Sequence, residues 1–149
     1  AVQWFRKAAD QGNDAAQFNL GVLYDNGQGV AQDYKEAVQW FRKAADQGND
    51  AAQFNLGVLY DNGQGVAQDY KEAVQWFRKA ADQGYACAQY SLGNIYLISR
   101  EGVAQDLSKA AQWLRKAADQ GLANAQFNLG SMYRNGEGVV QDHKKTRYW

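Results

Sequence analysis

The sequence predicts an all-α fold, an α/α superhelical solenoid of stacked antiparallel helix pairs. Three observations predict it. Residues 1–36 and 37–72 are the same string, apolar residues recur at helical spacing within each copy, and glycine rather than proline marks the chain reversals. One helix pair cannot bury its apolar face alone, so repeated pairs of this kind gain a continuous core by stacking on their neighbours.

The copies continue to the end of the chain. A third copy starts at Ala73 and a fourth near Ala110, and a fifth is cut off after a few residues. The five tryptophans share one position and are spaced 36, 36, 37 and 36 residues apart: Trp4, Trp40, Trp76, Trp113 and Trp149. The extra residue lies between Tyr96 and Gly102, which we expect to be a helix end or turn, where insertions cost little.

Two helices are predicted in each copy. In the second copy, the first helix runs from Asp50 to about Asp61, because its apolar residues recur at helical spacing. Asn49 or Asp50 is expected to cap its start, with Gln53 reaching back. Gly63 or Gly65 is expected to end it. The residues on its buried face are Ala52, Leu56, Leu59 and Tyr60.

The second helix is predicted from Asp69 to about Gln83, with Asp69 as its N-cap and Gly84 after its end. Gly57, inside the first helix, costs about 1 kcal/mol relative to alanine. We expect it to let the partner helix approach closely. The whole chain, 1–149, is predicted to be a single solenoid domain. A lone second helix at about 1–12 precedes helix pairs at about 13–48, 49–84, 85–121 and 122–149, the last of them truncated.

These residues resemble the Sel1-like repeat family, which is related to the tetratricopeptide repeats. The motif covers essentially the whole chain. In the second copy it comprises Ala52, Leu56, Gly57, Tyr60, Gly63, Gly65, Val66, Asp69, Ala73, Trp76, Lys79, Ala80, Ala81 and Gly84. The sequence departs from the family where proline is common, at Ala31, Ala67, Ala104 and Val140, and it lacks the paired cysteines of the disulfide-rich members.

The resemblance implies a non-catalytic scaffold or adaptor for protein–protein interaction, of bacterial origin, that binds a partner protein or peptide in a concave groove. It favours a periplasmic or secreted location and leaves a cytoplasmic one open. Two alternatives are a ligand-free structural or consensus-type array, and a bacterial virulence or toxin-immunity factor that acts by binding its target. The partner's identity, the oligomeric state and the extent of the full array stay open.

In related repeats the first helix of each pair lines the groove. The resemblance therefore places partner-binding residues on the first helices: Asn19, Val22, Asp25, Asn55, Val58, Asp61, Cys87, Tyr90, Asn94, Leu97, Asn124, Asn128, Ser131 and Arg134. Nearby positions expected on the same face include Ala51, Phe54 and Asn62. Arg134 is the one strong cationic candidate among them.

Differences between copies support this placement, because core positions barely change while groove positions vary in the last two copies. The alternative is drift at unconstrained positions. An asparagine such as Asn55 could hydrogen-bond an extended peptide, since its amide both donates and accepts. It could equally satisfy a neighbouring group of the protein or face solvent.

The composition argues against several other functions. Sixteen basic and sixteen acidic residues give no net charge, so a general nucleic-acid surface is not expected. No apolar run is long enough for a membrane span. His143 is the single histidine and Cys87 the single cysteine, so neither a nucleophile–base arrangement nor a metal site is predicted. We therefore expect no enzymatic activity, no metal and no cofactor.

Overall fold

The computed structural model describes residues 2–136, which contain eight α-helices. They are α1 (Val2–Asp10), α2 (Asp14–Asn26), α3 (Tyr34–Asp46), α4 (Asp50–Asn62), α5 (Tyr70–Asp82), α6 (Ala86–Leu97), α7 (Leu107–Asp119) and α8 (Ala123–Asn135). The two helices predicted in the second copy are α4 and α5. Within this range the only extended pairing is an isolated bridge between Arg100 and Val103. It lies in the lengthened turn of the third copy.

The chain divides into two compact units, Ala1–Ala80 and Ala81–Trp149. Unit 1 holds α1 to α4 and most of α5. Unit 2 holds the end of α5 together with α6 to α8. The organisation of the chain as one solenoid domain stays a prediction.

Helix α4 begins and ends at residues suited to those positions. Asn49 is its N-cap, and the Asn49 side chain accepts a hydrogen bond of 2.9 Å from the backbone N–H of Ala52. Gly63 ends the helix in the left-handed region at φ 69°, and its N–H donates to the Leu59 carbonyl. Glycine adopts that conformation without steric cost, which explains the turn without proline. Helices α6 and α8 have no side-chain cap, since they follow Tyr85 and Leu122.

Replacing Asn49 with alanine is expected to lower the free energy of unfolding by about 1 kcal/mol, because an N–H at the start of α4 loses its acceptor. Chemical denaturation monitored by circular dichroism measures the change. Serine at the same position can also cap and should stay close to the parent protein. Equal stability of the alanine and serine variants would contradict a capping role for Asn49.

In unit 1, the core forms where a second helix meets the preceding first helix. The Phe41 side chain is fully buried and lies against Gly21, where an added Cβ would come within 2.7 Å of the ring. Its ring also contacts that of Phe18 in a tilted arrangement, with the centroids 5.9 Å apart. One repeat later, Gly57 meets Phe77 at the same 2.7 Å. The prediction that the glycine inside the first helix permits close helix contact is confirmed.

Buried glutamines connect the first helices α2 and α6 to the end of the second helix that follows each of them, a contact that was not predicted from the sequence. Gln17 is 5% exposed and donates to the Ala9 carbonyl, while its own Oε1 accepts a 2.8 Å hydrogen bond from Gln47 Nε2. In unit 2, Gln89 and Gln120 repeat this pair at 2.9 Å. Gln53 was expected to reach back to the start of its own helix. Instead its Nε2 donates to the carbonyl of Ala45, and the N–H of Asn49 donates to the carbonyl of Ala44.

Among the described residues, three of the four tryptophans are buried as the sequence predicted: Trp40, Trp76 and Trp113. Trp40 is 5% exposed and shares a cluster with Ala9, Ala16 and Leu20. Trp4, at the start of the chain, is 76% exposed. The lysine three residues after each of the three buried tryptophans lies over the indole ring, at 4.5 to 4.6 Å from its centroid. These cation–π contacts give the Arg-Lys doublets a role within the fold.

Candidate binding surface on the first helices

In unit 1, the predicted binding residues lie on one face of each first helix, three residues apart. We call this set the unit 1 face: Asn19, Val22 and Asp25 of α2, with Asn55, Val58 and Asp61 of α4. All six side chains are half-buried, so each is partly open to solvent. Val22 also packs against the hydrophobic cluster that contains Phe41, which places it at the edge of the core.

The two first helices of unit 1 approach each other at their N-terminal ends. Asn49, the cap of α4, donates from Nδ2 to Oδ2 of Asp14 in α2 over 3.1 Å. At the other end of α2, burial raises the pKa of the Asp25 carboxyl above its ordinary value. The carboxylate form of Asp25 is therefore destabilised by the fold itself.

In unit 2, the predicted residues lie on α6 and α8, and we call them the unit 2 face. Four belong to α6 and four to α8: Cys87, Tyr90, Asn94, Leu97, Asn124, Asn128, Ser131 and Arg134. Cys87, Asn124 and Arg134 are exposed, and the other five are half-buried. The structure brings two of them together, since Asn128 Nδ2 donates to Asn94 Oδ1 over 2.9 Å. Asn128 thus has the local role that the sequence left open for these asparagines.

Phe54 differs from expectation. It had been placed near the groove, but its ring packs on Phe77 with the centroids 5.7 Å apart, as Phe18 packs on Phe41. The equivalent Phe127 is 71% exposed. Ala51 is half-buried and Asn62 exposed, as a solvent-facing position allows.

The charges of the first helices differ between the two units. Helices α2 and α4 carry aspartates and no lysine or arginine, α6 carries no charged residue, and α8 carries only Arg134. A comparison of single positions between copies does not reveal this pattern, which appears only when charge is summed over each helix. Among the arginines of unit 1, Arg6 and Arg42 donate to the hydroxyls of Tyr24 and Tyr60.

The described residues contain no group of three or more histidine, cysteine, aspartate or glutamate side chains arranged to hold a metal ion. Cys87 is an exposed free thiol. His143, Val140 and Trp149 lie outside the described residues. None of the helices from Val2 to Asn135 combines the length and apolar character needed to cross a membrane.

Unit 1 also contains a cavity of about 620 Å³ at the start of α1, lined by Val2, Gln3, Trp4, Leu23, Gln28 and Gly29. None of the predicted binding residues lines it. One repeat later, the equivalent Val38 and Leu59 are 6% and 2% exposed. The cavity therefore corresponds to a packing position that is filled in the next repeat, and we assign no ligand to it.

A family model described as Sel1 repeat matches residues 1–13, 14–49, 50–85, 88–122 and 123–149. The matches cover nearly all of the chain, and their boundaries fall close to the starts of the first helices. A search among curated proteins found no match.

Two solved bacterial structures resemble the chain at both the sequence and fold levels. The crystal structure of a Sel1 repeat protein from Oxalobacter formigenes has a TM-score of 0.91 and 41% identity, with 99% of this chain and 60% of that chain covered. The structure of c5321, a protective antigen present in uropathogenic Escherichia coli strains and displaying an SLR fold, has a TM-score of 0.90 and 44% identity. It covers 98% of this chain and 32% of that one. This chain therefore spans less than two thirds of either structure.

A third structure, the immunity protein Pa5087 from Pseudomonas aeruginosa, is similar at a TM-score of 0.56 and 24% identity, over 99% of this chain and 70% of that one. At that identity the likeness concerns the fold alone. Together with the eight helices, the structural similarities confirm the predicted fold class, an all-α solenoid of helix pairs.

Proposed function

Because this chain belongs to the Sel1 repeat family, we propose that it is a non-catalytic scaffold that binds a partner protein or peptide through the outward faces of its first helices. Proteins of this family commonly serve as protein-interaction scaffolds. The proposal assigns binding to the unit 1 face and the unit 2 face.

One observation carries the proposal: buried positions change little between copies, while the partly exposed positions beside them change in the last two copies. Leu20, Leu56, Leu92 and Leu129 occupy one position, and all are 0% exposed. Five residues later the copies carry Asp25, Asp61, Leu97 and Arg134, which are half-buried or exposed. A constant frame with a variable surface is what a binding scaffold requires, because the frame sets geometry and the surface sets specificity.

The alternative of drift at unconstrained positions predicts that the changed residues have no effect on binding. We expect a variant with Asn94, Leu97 and Arg134 all replaced by alanine to recover at least about tenfold less partner in a pull-down than the parent protein. Loss of about 1.4 kcal/mol of binding free energy is enough for that change.

A control variant carries the same number of substitutions. Ser108, Gln112 and Asp119 are exposed on the second helix α7, and their replacement by alanine should leave partner recovery unchanged. Both variants are first checked for parental helix content by circular dichroism. Full recovery by a folded variant of the unit 2 face would exclude that face from binding and favour the structural-array alternative.

The narrower prediction of a virulence or toxin-immunity factor gains motivation from the antigen of uropathogenic strains, which is 44% identical over 98% of this chain. It would be a special case of the same binding function, in which the target is a toxin or a host protein. It stays a prediction, and it depends on identifying the partner.

A further inference from the structure

We draw no further inference here: the strongest candidate, the side-chain cluster that Arg6 of α1 forms with Trp40 and Lys43 of α3 in unit 1, identifies no ligand, because the indole Nε1 of Trp40, which has no hydrogen-bond acceptor among the described residues, is closed to solvent, and both cations already lie against aromatic rings of the fold.

Discussion

Replacing Phe41 with alanine is expected to lower the free energy of unfolding by about 3–5 kcal/mol, the range for truncating a buried aromatic side chain. Phe41 is 0% exposed and fills the space beside Gly21. The substitution also removes the contact between the Phe41 ring and the ring of Phe18. Because a domain of this size is stable by about 5–15 kcal/mol, this one change removes a large part of the total.

Phe127 provides a matched control of the same residue type. Its position in α8 is that of Phe18 in α2, but its side chain is 71% exposed. Phe127→Ala is therefore expected to shift stability by no more than about 0.5 kcal/mol. Urea denaturation followed by tryptophan fluorescence and by circular dichroism measures both variants. A Phe41→Ala variant as stable as Phe127→Ala would show that the helix contact at Gly21 does not hold unit 1 together.

Much of the fold could be predicted from the sequence, because the repeat itself supplies several copies of each local signal. Asn49 and Gly63 were among the expected start and end of α4, and they occupy those positions with the hydrogen bonds of a cap. The small residue at Gly57 was expected where helices meet, and the Phe77 ring lies there. Helix type, helix ends and close contacts follow from local chemistry, which the repeated string displays directly.

Other contacts could not be predicted, since they depend on which side chains meet across helices. Gln17 and Gln47 are 30 positions apart and polar, and nothing in their local sequence indicates a buried pair. Their recurrence in each copy was a usable signal, because a constant glutamine beside variable positions suggests a fixed partner. The position of Phe54 on its helix predicts a surface side chain, but its ring packs against the ring of Phe77, which belongs to another helix.

The proposed binding surface is predicted less completely than the fold, for a physical reason. Stability selects the core residues in the same way in every copy, whereas specificity depends on a partner that is absent from the sequence. Position and exposure of the unit 1 and unit 2 faces follow from the repeat. Their charge becomes informative only when summed by helix, which separates the acidic α2 and α4 from the uncharged α6 and from α8 with Arg134.

Replacing Gly57 with leucine is expected to lower the free energy of unfolding by about 1–3 kcal/mol, the usual cost of overpacking a core. A Cβ alone would come within 2.7 Å of Phe77 Cδ1 and 2.8 Å of Cε1, so even the first carbon of the new side chain overlaps the ring. Phe77 is itself 1% exposed and cannot turn away without displacing other buried groups. The gain in helix propensity from replacing glycine, about 1 kcal/mol, offsets only part of this cost.

Identical neighbouring repeats allow this result to be checked within the same chain. A Cβ added at Gly21 would likewise come within 2.7 Å of the Phe41 ring, so Gly21→Leu should destabilise by a similar amount. Ala15→Leu, at an exposed position of α2, adds comparable bulk without a packed neighbour and should change stability by no more than about 0.5 kcal/mol. If the two glycine variants denature at the parental midpoint, the phenylalanine rings must move aside at little cost. The close helix contact would then not be the reason for glycine at these positions.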